Sequence, residues 1–158
     1  MPLLLVRHAH ANARKEWSGD DRLRPLSVHG RRQAERLIDV AASFERPSRV
    51  LSSPYLRCLQ TMEPLARAND LSVEPSDELS EGQSSAAVSL VRGLAGDNVA
   101  LCTHGDVIAE ILVTLADEDR LDLGPNPRQA KGSIWVLAGQ DGFFTSAQYF
   151  PPAVVESV

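Results

Sequence analysis

Pro2–Arg7 reads PLLLVR, a short and almost wholly apolar run between a proline and an arginine. Central strands of parallel sheets are buried on both faces, so they carry continuous apolar runs rather than alternating ones. Asn98–Thr103, which reads NVALCT, has the same character. We predict that these two segments form buried strands in the middle of one sheet.

Helical and strand patterns alternate between and beyond these two runs. The further predicted elements are a helix from Ser27 to about Phe44, a strand Arg49–Ser52, a helix opened by Ser53-Pro54 and running to about Asn69, a weak strand Leu71–Glu74, a helix over 84–95, a helix ending near Ala116, and alternating strands Ser133–Leu137 and Phe143–Tyr149 joined as a hairpin by residues 138–142. This order predicts a three-layer α/β/α fold. Its central sheet is mostly parallel, with an antiparallel C-terminal hairpin at the edge.

The chain has 158 residues and is predicted to form a single domain, 1–158. Its longest apolar run, Leu3–Val6, is too short to span a bilayer or to form the core of a signal peptide. We therefore expect a cytoplasmic protein without a membrane partner. Cys58 and Cys102 are expected to be reduced thiols, too few for a zinc site alone. Phe150–Val158 is predicted to be a tail.

The charge distribution favours a small anion as the ligand. Residues 1–67 carry 12 Lys and Arg against 7 Asp and Glu, whereas residues 68–158 carry 4 against 14. Fourteen of the sixteen basic residues are arginines, whose planar guanidinium binds phosphate or carboxylate through two hydrogen bonds. The isoelectric point near 5.3 opposes attraction to a nucleic acid, so no nucleic-acid partner is predicted.

Basic residues follow the two predicted central strands at the points where they end. Arg7-His8 follows the first strand, and His104-Gly105 follows the strand Asn98–Thr103. Ligands of open parallel sheets bind outside the carboxyl ends of the strands, so these residues are expected to lie together. Arg57 falls in the first turn of a neighbouring helix. The group predicts a site for an anion such as a phosphoryl group.

Four short motifs connect these residues to a family. They are Leu5-Val6-Arg7-His8-Ala9, Leu26-Ser27-x-x-Gly30-x-x-Gln33-Ala34, Ser52-Ser53-Pro54-x-x-Arg57-x-x-Gln60-Thr61 and Thr103-His104-Gly105. In this order, between residues 3 and 105, they resemble the histidine phosphatase superfamily, also called phosphoglycerate mutase-like. The chain looks most like its compact SixA-type phosphohistidine phosphatases, and also like the phosphatase-like domain fused to some Nudix hydrolases.

The resemblance implies a role for each residue of the predicted anion site. His8 is the expected nucleophile, which forms a phosphohistidine and so divides one difficult displacement into two easier ones. Arg7, Arg57 and His104, together with Gly105, are the expected phosphate-binding residues. Their donors offset the negative charge that develops in the transition state, so no metal and no cofactor are expected.

Two further expectations concern the proton donor and a departure from the family pattern. The family places an acidic residue before the next helix, often in a Leu-x-Glu context, which matches Leu79-Ser80-Glu81. Glu81 is therefore the expected proton donor, with Glu78 as the alternative. Ala9 stands where the family usually has glycine. The alanine is interpreted as a marker of the SixA-like branch, with crowding of the pocket or of a positive-φ turn by its methyl group as the alternative.

The remaining polar residues near the site are expected to have minor roles. Arg14, Arg22 and Arg24 lie in the long loop 9–26 and are expected to face water, with contact to a second anionic group of the substrate as the alternative. His10 and His29 are expected to be structural or exposed. Trp17 is expected to line the mouth of the pocket.

The sequence thus predicts a metal-independent, monomeric phosphatase that acts through His8 on a phosphohistidine protein or a small phosphomonoester. One alternative is a non-catalytic phosphate- or phosphopeptide-binding relative on the same fold. Another is a phosphotransferase of the phosphoglycerate mutase type, although that group carries insertions for which this length leaves little room. A metal hydrolase using His8, His10 and His104 is disfavoured, because such His-x-His sites usually occur on barrels of about 250 residues.

Overall fold

The central sheet has six strands. The computed structural model of the chain describes residues 2–152, and its strands are β1 (Pro2–Arg7), β2 (Arg49–Ser52), β3 (Val73–Pro75), β4 (Val99–Thr103), β5 (Ile134–Gln140) and β6 (Phe143–Phe150). They lie in the order β3-β2-β4-β1-β5-β6. The first four are parallel, whereas β5 pairs antiparallel with β1, and β6 with β5. The predicted mixed sheet is confirmed. Residues 153–158 of the predicted tail lie outside the described residues.

In the described part of the chain, four α-helices cover the two faces of this sheet. They are α1 (Val28–Ala41), α2 (Leu56–Ala68), α3 (Ser84–Gly93) and α4 (Gly105–Asp119). Leu4 and Val6 of β1 pack in one apolar cluster with residues of α1 and α2, whereas Leu3 and Leu5 pack in another with α3 and α4. Successive side chains of a strand point to opposite faces, so a wholly apolar strand needs cover on both sides. The three-layer arrangement is confirmed. Within residues 2–152, no helix has the length and apolarity to cross a bilayer.

The start of α1 is tied to the end of β1. Ser27 caps the helix, because its Oγ accepts a hydrogen bond from the backbone N–H of Gly30 at 3.0 Å. The backbone N–H of Ser27 donates to the carbonyl oxygen of His10 at 3.0 Å. A Cβ atom at Gly30 would collide with that same carbonyl group. Glycine at position 30 therefore lets the first helical turn lie directly against the chain that leaves β1.

Several predicted boundaries are wrong. Helix α1 ends at Ala41 and not near Phe44, β3 covers Val73–Pro75 and not Leu71–Glu74, and α4 ends at Asp119 and not near Ala116.

Two further boundaries are wrong for reasons that the structure shows. The helix expected to open at Ser53-Pro54 begins at Leu56, because Ser53 is buried and its hydroxyl contacts His104 instead of capping the helix. The C-terminal hairpin has a two-residue turn, not the five-residue connection over 138–142. Asp141 and Gly142 have φ values of 54° and 85°, and this pair of positive values is typical of the tight turn favoured by Asp-Gly.

Candidate active site

The order of the strands brings the predicted site residues together. β1 and β4 are parallel neighbours, with Arg7 in register with Thr103. His8 and His104, one residue further along each strand, therefore emerge side by side, with ring centroids 5.5 Å apart. Arg57 enters from α2, which follows β2 on the other side of β4.

One ring nitrogen of His8 forms a hydrogen bond with the backbone. Its Nδ1 lies 2.8 Å from the carbonyl oxygen of Ala9, and because a carbonyl only accepts, Nδ1 carries the proton. The other nitrogen, Nε2, keeps its lone pair. Burial lowers the pKa of His8 to about 3, and the positive charges of His104, Arg57 and Arg7 act in the same direction. His8 is therefore a neutral imidazole near pH 7.

Ala9 fits the site without strain. Among residues 2–152, non-glycine residues with positive φ are confined to positions 70, 120 and 141, so Ala9 has an ordinary backbone conformation. Its methyl group is buried against Leu26 and Ala34. The Ala9 N–H donates to Thr61 Oγ1 at 2.9 Å, and the Thr61 hydroxyl donates to the Arg57 carbonyl at 2.6 Å. The methyl group does not crowd the pocket, and Thr61 links the segment that follows His8 to α2.

His104 presents one ring nitrogen inward and one towards the site. Its Nε2 lies 2.8 Å from Ser53 Oγ, which also accepts a hydrogen bond from the Tyr55 N–H at 3.3 Å. Nδ1 is buried and makes no hydrogen bond within residues 2–152, although Glu81 Oε1 lies 3.5 Å away. The Ser53 hydroxyl therefore orients the ring so that Nδ1 faces the site, where it donates to a ligand when it carries the proton.

The guanidinium of Arg7 lies close to the start of α4. Its Nη1 donates to the carbonyl oxygen of Gln129 at 2.8 Å, and its buried Nε has no partner among the described residues. Burial lowers the pKa of Arg7 from its usual value. A Cβ atom at Gly105 would lie 3.0 Å from both Cζ and Nη2 of Arg7. Gly105 therefore serves the site by letting this guanidinium approach the first turn of α4.

Arg57 is fully buried and is held by two carboxylates. Its Nη2 lies 2.7 Å from Glu81 Oε1 and 3.2 Å from Asp21 Oδ2, and its Nη1 donates to the Asp21 carbonyl at 2.9 Å. Asp21 is absent from the predicted site residues. The only sequence signal for it is its position in the long loop 9–26, because Asp21 lies outside the four family motifs.

Glu81 is better placed than Glu78 to act as the proton donor. One of its carboxylate oxygens reaches both Arg57 and His104. Glu78 is exposed on the short 3-10 helix Asp77–Leu79. Asp21 is not suited to hold a proton near neutral pH. Burial acts to raise its pKa, but the hydrogen bond from Arg24 and the nearby guanidiniums bring that pKa below its usual value. Asp21 therefore stays ionised, and the geometry favours Glu81.

The loop 9–26 covers one side of the site. It contains two 3-10 helices, Arg14–Glu16 and Asp21–Leu23, and Trp17 lines a depression of about 290 Å³ next to Asp21 and Glu81. Arg14 and Arg22 are exposed as predicted. The expectation that Arg24 faces water is wrong. Arg24 is 7% exposed, because it donates to the Asn12 carbonyl at 2.7 Å and to Asp21 Oδ1 at 2.9 Å and so braces the loop.

Comparison with known proteins identifies the family. The sequence matches the model of the histidine phosphatase superfamily (branch 1) over residues 3–85, which include Arg7, His8, Arg57 and Glu81. The chain belongs to the histidine phosphatase superfamily. A protein of Mycolicibacterium smegmatis described as an 8-oxo-(d)GTP phosphatase is 35% identical over 157 residues. That match covers 95% of this chain and 48% of the relative, so the chain spans about half the length of that protein.

Solved structures show the same histidine phosphatase fold. The protein histidine phosphatase SixA, complexed with tungstate, superposes with a TM-score of 0.74 at 20% identity, over 95% of this chain and 94% of SixA. A mycobacterial glucosyl-3-phosphoglycerate phosphatase superposes with a TM-score of 0.67 at 18% identity, over 94% of this chain and 96% of that one. At these identities the likeness concerns the fold alone.

In this histidine phosphatase chain, His10 and His29 lie apart from the site. His10 is exposed, its Nδ1 is 2.6 Å from Ser27 Oγ, and its ring packs edge-on against His29 at 5.6 Å. The pair of ligands that the metal-hydrolase alternative needs, His8 with His10, is therefore not assembled. Within the part of the chain that the structure describes, no three His, Cys, Asp or Glu side chains are arranged to hold a metal ion.

The depressed pKa of His8 predicts how acid affects stability. In the unfolded chain His8 has the ordinary histidine pKa of 6.5, whereas in the folded protein its pKa is about 3. Between these two pH values the unfolded chain therefore binds a proton that the folded protein does not. Stability is therefore lost as the pH falls through this window. Between pH 7 and pH 5, urea unfolding is expected to show a loss about 2 kcal/mol larger for the wild type than for His8→Asn. The exposed His29→Asn variant should behave as the wild type, and equal losses in all three proteins would contradict the prediction.

Proposed function

We propose that this chain is a metal-independent phosphatase that works through a phosphohistidine on His8. The observation that carries the proposal is the state of His8, a neutral imidazole whose Nδ1 is tied to the Ala9 carbonyl and whose Nε2 is free. Nε2 attacks phosphorus as the bond to the leaving oxygen breaks. Water then attacks the phosphohistidine, the P–N bond breaks, and the Glu81 carboxylate, which gave its proton to the leaving oxygen, takes the proton of the water, so that phosphate, neutral His8 and protonated Glu81 are regenerated.

Three donors next to His8 support phosphoryl binding. Arg7 Nε, Arg57 Nε and His104 Nδ1 are each buried, and none has a hydrogen-bond partner within residues 2–152. Buried donors without partners are unfavourable in a folded protein unless a ligand satisfies them. Phosphoryl oxygens satisfy such donors and bring the negative charge that two guanidiniums neutralise. The chemistry is therefore supplied by fixed protein donors, which do the work that a metal ion does in other phosphatases.

The leaving oxygen takes its proton from Glu81 in this proposal, so the effect of Glu81→Gln depends on the leaving group. An alkoxide leaves poorly without protonation, and kcat for an alkyl phosphate is expected to fall by about 10²-fold. The same variant should keep kcat for 4-nitrophenyl phosphate within about threefold, because that phenolate leaves without help. Steady-state kinetics on both esters measures the contrast.

Glu78→Gln is the matched control for this experiment, since Glu78 is an exposed glutamate of the same acidic segment. It should leave both kcat values unchanged. If Glu78→Gln shows the leaving-group dependence and Glu81→Gln does not, the roles of the two residues are reversed. Equal effects of Glu81→Gln on both esters would mean that Glu81 acts on binding and not on proton transfer.

The burial of the site supports a small phosphate ester as substrate. His8 is 6% exposed and His104 is 1% exposed, and the loop 9–26 closes the side of the site next to Arg57. A recessed site that is partly covered by a loop suits a slender ester better than the surface of a folded protein. The 8-oxo-(d)GTP phosphatase relative favours a nucleotide, whereas the SixA likeness favours phosphohistidine in proteins. We take the small ester as the proposed substrate class.

The test is turnover of 4-nitrophenyl phosphate and of a phosphohistidine peptide, both in excess chelator. The proposal expects chelator-resistant hydrolysis of the small ester that orthovanadate inhibits, with the peptide hydrolysed more slowly. Faster hydrolysis of the peptide would assign phosphohistidine proteins as the substrate class instead. Folded protein that hydrolyses neither compound but binds orthophosphate would overturn the enzyme in favour of a phosphate-binding relative.

A further inference from the structure

Lys131 lies next to the nucleophile although it is far from it in sequence. The N–H of Gly132 is 3.1 Å from the carbonyl oxygens of both Arg7 and His8. Gln33 holds the same turn from the other side, since its Nε2 donates to the Lys131 carbonyl at 3.3 Å. These contacts fix the backbone of Lys131 at the rim of the site, on the side of Arg7.

The ammonium group of Lys131 lies in the field of the site's guanidiniums. Its side chain is exposed, and no salt bridge to it is found among the described residues. Its pKa is below the usual lysine value, first because of partial burial and then because of the positive charges of Arg7, Arg24, Arg14 and Arg57. A cation in the field of other cations, without a carboxylate partner among the described residues, is a ready partner for an anion.

The carboxylates near the site are already engaged by other cations. Asp21 pairs with Arg24 and Arg57, and Glu81 pairs with Arg57. A single phosphoryl group is accounted for by Arg7, Arg57 and the donor of His104, as proposed above. Lys131 therefore supplies a positive charge at the rim that a single phosphoryl group does not need, although the net charge of the chain is -5. No acidic side chain of residues 2–152 forms a salt bridge with Lys131.

We propose that Lys131 binds a second phosphate of the substrate, linked to the phosphoryl group that His8 attacks. The inference rests on the proposed function and narrows its substrate class to esters that carry two or more linked phosphates. A pyrophosphate linkage keeps its second phosphate beside the first, where a rim cation next to Arg7 meets it. Lys131 is thus a specificity-determining residue and takes no part in bond breaking.

Binding of two inorganic probes tests this directly. Orthophosphate carries one phosphate, and imidodiphosphate carries two phosphates joined by a nitrogen bridge that resists hydrolysis. Isothermal titration at low ionic strength would give Kd for both probes with wild type, Lys131→Gln, Lys131→Arg and Lys15→Gln. Lys15 is the other lysine of the chain, lies on the 3-10 helix Arg14–Glu16 and is exposed, which makes it the matched control.

The wild type is expected to bind imidodiphosphate more tightly than orthophosphate. Lys131→Gln should weaken imidodiphosphate binding by about tenfold and orthophosphate binding by no more than about threefold. Lys131→Arg should restore most of the difference, and Lys15→Gln should resemble the wild type. Equal weakening of both probes by Lys131→Gln, or a wild type without preference for imidodiphosphate, would overturn the second-phosphate role.

These binding results do not depend on turnover. A wild type that prefers imidodiphosphate through Lys131 but hydrolyses no phosphate ester would refute the proposed phosphatase while leaving the second-phosphate site intact. A wild type that hydrolyses 4-nitrophenyl phosphate but shows no Lys131-dependent preference would refute the second-phosphate site alone. The two failures are therefore distinguishable.

Discussion

Replacing His8 with alanine is expected to lower kcat/KM for 4-nitrophenyl phosphate by at least about 10⁴-fold. The proposed reaction needs a lone pair on Nε2, and no other described side chain presents a neutral imidazole nitrogen at the same point. Initial rates measure the loss. Rapid quenching of the wild type with a radiolabelled ester should also trap label on the protein. That label should survive alkali and be released by acid, as expected for a P–N bond.

His29→Ala is the control for this experiment. His29 is exposed on the first turn of α1 and contacts His10, away from the site, so its loss should leave the rate and the label unchanged. Urea unfolding at pH 7 should show that His8→Ala remains folded. A His8→Ala protein with more than about a hundredth of the wild-type rate, or with undiminished acid-labile label, would exclude His8 as the nucleophile.

Arg57→Lys is expected to lower kcat/KM by about 10²-fold to 10³-fold. A lysine keeps the charge but offers one nitrogen where arginine offers three, so the bonds to the Asp21 carbonyl, to the two carboxylates and to a phosphoryl oxygen cannot all be kept. Both kcat and kcat/KM should fall, because the phosphoryl oxygens gain charge in the transition state. The variant is also expected to be less stable. Arg57 is fully buried, so the ammonium group of the lysine would be buried with fewer hydrogen bonds than the guanidinium makes.

Arg67→Lys provides the comparison on the same helix. Arg67 is 73% exposed and makes an i,i+4 pair with Glu63, an interaction of small energy that lysine preserves. Its kinetics and its unfolding midpoint should match those of the wild type. An Arg57→Lys variant within tenfold of wild-type kcat/KM would show that charge alone suffices and that the guanidinium geometry has no catalytic value.

Much of this architecture is predictable from local patterns. The apolar runs of β1 and β4 indicate strands buried on both faces, and the structure places both in the middle of the sheet. Parallel strands end at one edge, so the residues after them had to meet there. For this reason the contact between His8 and His104, and the approach of Arg57 from α2, were predictable without coordinates.

Other parts of the site depend on contacts between distant segments, which local patterns do not encode. Ser53 has the sequence context of a helix cap, but its hydroxyl orients His104. Asp21 and Arg24 have the composition of a solvated loop, yet the Asp21 carboxylate pairs with buried Arg57 and Arg24 pairs with Asp21 in turn. In each case a long-range hydrogen bond or ion pair outweighs the local preference, because an unpaired buried polar group costs more than a lost cap.

The sequence by itself determined the three-layer fold, the superfamily and the four residues at the strand ends, because these follow from periodicity, strand order and short motifs. Tertiary structure alone decided the burial of His8 and its bond to the Ala9 carbonyl, the contacts of Glu81 with Arg57 and His104, and the position of Lys131 at the rim. Those properties arise from burial and from charges that segments far apart in the chain bring within a few ångströms of each other. Burial and charge proximity are properties of packing, so they exist only once the chain has folded.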